Sequence, residues 1–236
     1  MKTQLLLALC LPLLALGAQN RHGAPATASG PGPAANADCV RSADCPLNSA
    51  TSAAPTTLPA SDLVFAIEEE RVAHDLYAAA SAKWNLRVFA NIAEAETHHA
   101  AALTQLAATA GAMPPAAQAG VYASADLQRM HDQLLALANE SETGALRAGA
   151  LIEETDIADL RRLAARATDA ASRAVLANLE RATANHLAAF VRNLAARGVT
   201  CQPQVLAADD FSALTQAAPG QGRGADGGGR GYRGGR

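Results

Sequence analysis

The chain has 236 residues, half of them apolar but only 3% aromatic, with a formal net charge of −3. A mildly acidic balance argues against nucleic acid as the main partner. A core drawn mainly from Ala, Leu, Val and Ile favours close-packed helices over a sheet.

In chain order, residues 1–18 carry Lys2, the apolar run Leu5 to Leu16 and a small-residue end at Gly17-Ala18. This layout predicts a secretory signal peptide and a soluble, periplasmic or secreted mature protein. The run is shorter than the roughly 20 residues that span a bilayer, and no later segment is long and apolar enough, so no membrane span is expected. Cys10 leaves with the signal peptide, which puts Cys39, Cys45 and Cys201 in a compartment that permits disulfides. Three cysteines allow three single pairings, and the spacing does not choose among them.

Residues 19–59 are rich in Ala, Pro, Gly, Ser, Thr and Asn without a periodic apolar face, and read as a flexible arm. A single helical domain is expected over 60–206. Its first helix starts at a cap from Ser61 or Asp62 and runs to about Lys83; the second spans about Val88 to Ala110 and stops at Gly111 before Pro114-Pro115. A long link holding a short amphipathic helix, about Ala125 to Ala138, leads to a third helix from near Ser141 to Arg166. Asp169 caps a fourth that ends at Gly198. A carboxyl-terminal extension, 207–219, and a Gly/Arg-rich tail, 220–236, complete the chain; on an exported protein the tail reads as a disordered, solvated segment.

Several titratable residues interrupt apolar helical stripes. Glu70 shares a face with Ile67 and Tyr77, which points Glu68 and Glu69 elsewhere. Glu96 and His99, three residues apart, project from one face about one turn apart, with His98 off that face. On the third helix Leu146, Gly149, Glu153, Asp156, Leu160 and Leu163 form a stripe that turns Glu153 and Asp156 inward and leaves Glu154 near the edge; a rival register makes Glu154 the ligand. His186 sits among Leu179, Leu187 and Phe190 on the fourth. Carboxylates on core-facing stripes are costly unless charge-compensated, and bound cations compensate several at once. Four carboxylates and two imidazoles form a hard-plus-borderline donor set that suits iron or manganese.

The motifs Glu70-Arg71-Val72-Ala73-His74-Asp75-Leu76-Tyr77 and Ile92-Ala93-Glu94-Ala95-Glu96-Thr97-His98-His99 resemble the first two helices of rubrerythrin-type ferritin-like proteins. Together with Glu68-Glu69-Glu70, Phe89-Ala90-Asn91-Ile92-Ala93, Leu151-Ile152-Glu153-Glu154-Thr155-Asp156 and Asn185-His186-Leu187-Ala188-Ala189-Phe190, they resemble more closely the DUF2202 family, a prokaryotic group placed in the ferritin-like superfamily. The resemblance implies an all-α, ferritin-like four-helix bundle whose long crossover, with the short extra helix, lies between helices two and three. It also implies a di-metal centre, iron with manganese as the alternative, at Glu70, Glu96, His99, Glu153 and His186. Di-iron carboxylate proteins carry a fourth-helix Glu three residues before its His; here that position is Thr183, and the DUF2202 resemblance implies a small hydroxyl residue there as a family trait. Either Asp156 restores that carboxylate or the second metal position is weak.

The expected activity is oxidase, ferroxidase or peroxidase chemistry on dioxygen or peroxide. The alternative is a non-catalytic metal-binding or structural module. The sequence lacks a rubredoxin-like cysteine cluster, so electrons would come from a separate donor. A homodimer is left open.

Overall fold

The computed structural model describes residues 56–216. The signal-peptide segment, most of the predicted arm with Cys39 and Cys45, and the Gly/Arg tail lie outside the described residues. Six helices occupy the rest: α1 (Ala60–Trp84), α2 (Arg87–Thr109), α3 (Ala125–Glu140), α4 (Glu142–Arg166), α5 (Ala170–Ala195) and α6 (Ala208–Gln216). Among the described residues there is no strand, only one isolated bridge between Gln118 and Val121, and no helix is long and apolar enough to cross a membrane.

Local chemistry sets most helix ends. Ser124, Ser141 and Asp169 cap α3, α4 and α5, each accepting a hydrogen bond from the backbone N–H three residues on. The start of α1 differs from the sequence expectation. Pro59, extended at φ −60° and ψ 136°, precedes it without a side-chain cap, and Ser61 and Asp62 lie inside the first turn. There Asp62 favours the positive helix end and pairs with Arg166. Asn85 ends α1 in the left-handed region, φ 51°, a conformation that Asn tolerates better than most side chains.

The helix directions follow from contacts at the two ends. At one end Arg166 meets Asp62, the Thr57 N–H donates to Asp169 Oδ2 at 3.2 Å, and the Thr56 N–H to Thr109 Oγ1 at 3.1 Å. At the other, Trp84 Nε1 donates to the Ala138 carbonyl at 2.8 Å, Lys83 Nζ to the Asn139 carbonyl at 2.7 Å, and Arg197 Nε to Glu142 Oε1. Helices α1 and α5 therefore run one way, α2 and α4 the other. Each packed pair, α1–α2, α2–α5, α5–α4 and α4–α1, is antiparallel. The parallel α2 and α4 need a crossover, which residues 110–141 supply. Asp75 pins that crossover by accepting from the Gly120 N–H and the Tyr122 hydroxyl, both at 2.8 Å.

The core falls into two apolar clusters. One holds Tyr77, Phe89, Leu146, Ile152, Phe190 and Leu194; the other holds Leu63, Ile67, Leu103, Leu160, Leu176 and Leu179. On α1, α2 and α5 the change from one cluster to the other brackets Glu70, Glu96 with His99, and Thr183 with His186; on α4 it comes just after Glu153 and Asp156, between Ile157 and Leu160. A polar layer thus divides the bundle core. Truncating a large apolar residue on either side costs about 2–5 kcal/mol, which is what holds such a layer in place. Gly149 is part of this packing: a Cβ there would lie 2.7 Å from the Phe190 ring.

Candidate metal centre

All the polar side chains of the layer are buried, Glu70, Glu96 and Glu153 to 2% exposure and His99 and His186 to 4%. Glu96 lies at the middle. Its Oε2 is 2.7 Å from His99 Nδ1, and its Oε1 is 2.9 Å from His186 Nδ1. A second carboxylate approaches the same nitrogen of each imidazole: Glu70 Oε2 is 3.5 Å from His99 Nδ1, and Glu153 Oε2 is 3.5 Å from His186 Nδ1. The two rings stack with centroids 5.3 Å apart and an interplanar angle of 16°. The sequence Glu70, His99, Glu96, His186, Glu153 is therefore nearly symmetric about Glu96.

Both Nδ1 atoms, Glu96 Oε1 and Glu70 Oε1 have no hydrogen-bond partner despite these short separations. The nitrogens and oxygens lie close without an N–H aligned between them. A buried carboxylate oxygen and an imidazole nitrogen facing one another in that way are two electron-pair donors, and only a proton or a cation between them makes the approach favourable. The ligand atoms of Glu96, His99 and His186 all lie within 4.8 Å of one another, as donors to one metal ion do. The donor set fits a transition metal ion.

The electrostatics have the same origin. Burial, against the relief given by His99, pushes Glu70 up to about 8. Burial also raises Glu153 and Asp156, with the neighbouring carboxylates adding to it. Glu96 is the exception: burial opposes its charge, but His99 and His186 outweigh that and hold its carboxyl well below the usual range. In return Glu96 overcomes the effect of burial on the imidazoles, raising His99 and bringing His186 to about 9.

Two hydroxyls complete the layer. Tyr77 Oη donates to Glu153 Oε1 at 2.5 Å, within an aromatic group in which its ring lies 5.2 Å from that of Phe190. Thr183 Oγ1 donates to Asp156 Oδ2 at 2.8 Å. Asp156 thus lies in the layer, turned to Thr183.

Three acids differ from their expected placement. Glu68, Glu69 and Glu154, read as pointing elsewhere or lying at an edge, are all buried. Glu68 accepts from the backbone N–H groups of Ala123 and Ser124, at 2.6 and 3.2 Å, and so holds the start of α3. Glu154 Oε2 accepts from Gln204, Val205 and Leu206 at 2.9, 2.9 and 3.2 Å, which makes it the anchor of the segment before α6 and removes it as a rival ligand. Glu69 has no partner at either oxygen. The physical reason is that α1 packs against α2, α3 and α4, and α4 against α3, α5 and α1, so neither helix keeps a wide solvated face. A single-stripe reading suits a helix with one buried side.

Fold and site together define an all-helical bundle protein with a candidate metal-binding group, Glu96, His99 and His186, buried between two halves of its core. More particularly, the chain belongs to the family described as "Uncharacterized protein domain (DUF2202)", which matches residues 60–218. It is 31% identical over 153 residues to the uncharacterized protein MJ0754 of Methanocaldococcus jannaschii, a match covering 64% of this chain and 83% of the relative. The crystal structure of the hypothetical protein MJ0754 is similar with a TM-score of 0.67 and 29% identity, over 71% of this chain and 99% of that one.

Proposed function

We propose that the bundle is ferritin-like and holds a di-metal centre, with iron as the expected metal and manganese as the alternative. The observation that carries this reading is Glu96, placed between His99 and His186 with one oxygen toward each. In that arrangement Glu96, His99 and His186 would hold the metal, with Glu70 on the His99 side and Glu153 on the His186 side as further ligands. The up-down-down-up order of the four long helices supports the ferritin-like assignment. Iron bound there would supply redox chemistry toward dioxygen or peroxide. The chain's own residues keep the ligands in place: Tyr77 orients Glu153, Thr183 orients Asp156, and the two apolar clusters exclude water from both sides. Electrons would come from a separate donor, and residues 1–18 support export to the periplasm or beyond.

A second reading, a metal-binding module without turnover, is favoured by Thr183. It stands where di-iron carboxylate proteins offer a fourth-helix Glu, so the second metal position has one carboxylate fewer.

Metal counting on purified protein, loaded anaerobically with ferrous iron, tests the first reading. About two ions per chain in the wild type, lost in Glu96→Ala, with consumption of peroxide or dioxygen by the loaded protein, is the expected result. Binding without consumption of either oxidant selects the second reading, and failure to bind iron or manganese removes both.

A further inference from the structure

Between the end of α5 and α6 lies an open groove of about 600 Å³, lined by Val191 and Ala195 of α5, Val199 and Cys201 of the connection, and Phe211 and Thr215 of α6. Cys201 packs against the apolar cluster that holds Phe190 and Leu194, and it is the sole cysteine among the described residues. Burial, with Glu154 adding to it, pushes its thiol up to about 11. At neutral pH it is therefore a neutral thiol, poorly suited to nucleophilic or metal-ligand work, which needs the thiolate. A disulfide carries no charge and suits the same half-buried place.

The segment that carries Cys39 and Cys45 enters the bundle beside the same helix. Thr56 Oγ1 lies 2.7 Å from Ser172 Oγ, in the first turn of α5, and the Thr57 N–H donates to Asp169. The chain before Thr56 therefore departs from the amino-terminal end of α5. Val191 and Ala195 follow Ser172 by 19 and 23 residues on that helix. At 1.5 Å per residue they lie about 28 and 35 Å along its axis. Cys45 precedes Thr56 by 11 residues and Cys39 by 17. Fully extended, these lengths reach about 38 and 58 Å. Cys45 would have to be drawn nearly straight, at a large cost in chain entropy, whereas Cys39 reaches the groove with slack.

We propose that Cys39 forms a disulfide with Cys201 and that the residues flanking Cys39 occupy the groove, tying the amino-terminal arm along α5 to the connection before α6. Ala37 and Val40 supply small apolar side chains for that seat. The two thiols give up their protons and, together, two electrons to a disulfide oxidant such as oxidised glutathione, which leaves as two thiols; one S–S bond forms as one breaks. Cys39 precedes α1 and Cys201 follows α5, so every helix that contributes to the polar layer lies inside the closed loop. Cross-links that close long loops restrict the unfolded chain most, so the bridge stabilises the whole bundle. It does so whether or not metal is bound.

The test maps the disulfide in the full chain. The protein is reduced, then reoxidised without denaturant in a mixture of reduced and oxidised glutathione. Remaining thiols are blocked with N-ethylmaleimide before proteolysis under nonreducing conditions. A peptide containing Cys39 joined to one containing Cys201, and separated by reduction, is the expected product. Hydrogen exchange at residues 199–203 and along α6 should be slower in the oxidised chain than in the reduced one, and the melting temperature higher. Both differences should be lost in Cys39→Ser. A maleimide-blocked Cys201, a Cys39–Cys45 loop, or Cys201 joined to any other cysteine, including one of a second copy, overturns the proposal. A Cys39–Cys201 link that leaves exchange at the groove unchanged overturns the seating of the arm there.

Discussion

The Tyr77 hydroxyl donates to Glu153 Oε1 at 2.5 Å in a fully buried setting, so the carboxylate's free direction is its other oxygen, which faces His186. Tyr77 comes from α1 and Glu153 from α4, and the bond ties together two helices that both contribute to the centre. Tyr77→Phe keeps the ring against Phe190 and removes only this donor. The metal-free variant is expected to lose about 1–3 kcal/mol of stability, because a buried acceptor is left without its partner. Metal affinity should fall about 10–100-fold, the usual effect of losing a group that orients a ligand. Denaturant melts and a competitive metal titration measure the two; unchanged affinity would mean that Glu153 needs no orienting.

The pH dependence of the metal-free protein has a definite sign. Glu70 rises to about 8 on folding from an ordinary carboxyl near 4.5, and His186 to about 9 from near 6.5. Groups raised on folding contribute stability that is complete below the unfolded value and is lost as pH climbs through the folded value. Glu96, depressed on folding, acts only at acid pH, where its contribution disappears as pH falls. Between about pH 5 and pH 9 the melting temperature of the metal-free protein should therefore decline. Metal reverses the slope, since its ligands must shed protons to bind. A metal-free melting curve that is flat or rising across that window would contradict the assignment.

Among the described residues Glu154 is the sole carboxylate meeting three successive backbone N–H groups, at Gln204, Val205 and Leu206. Glu154→Ala should cost about 2 kcal/mol or more, since charged hydrogen bonds are among the stronger ones. Hydrogen exchange should speed up at residues 204–206 and along α6, while bound metal per chain stays at the wild-type level. Loss of metal in this variant would return Glu154 to the ligand set.

Gly149→Ala forces a methyl into the Phe190 ring, where the nearest ring carbons would be 2.7 Å away. Overpacking of this kind costs about 1–3 kcal/mol. Pairing it with Phe190→Leu, which makes room, should recover part of the loss in thermal melts. Additive losses in the double variant would show that the two residues do not share the space.

Much of the architecture was legible in the amino-acid order alone. Ser141 and Asp169 marked helix starts, Gly111 and Gly198 marked stops, and the spacing of Glu96 and His99 put both on one side of a helix, because these are local properties of a chain with 3.6 residues per turn. Glu70, Glu153 and His186 were also readable, as polar interruptions of apolar stripes.

The tertiary structure decided what local periodicity does not encode. Which oxygen of Glu96 faces which imidazole, and the turning of Asp156 to Thr183, depend on how four helices cross. The burial of Glu68, Glu69 and Glu154 follows from a third neighbour covering what one stripe leaves open. The bond from Tyr77 to Glu153 appears only when α1 and α4 are set side by side. Sequence alone determined which side chains leave a helix on the same side. Which of them meet was decided by packing between segments distant along the chain, since hydrogen bonds and metal-ligand geometry act only at contact distances.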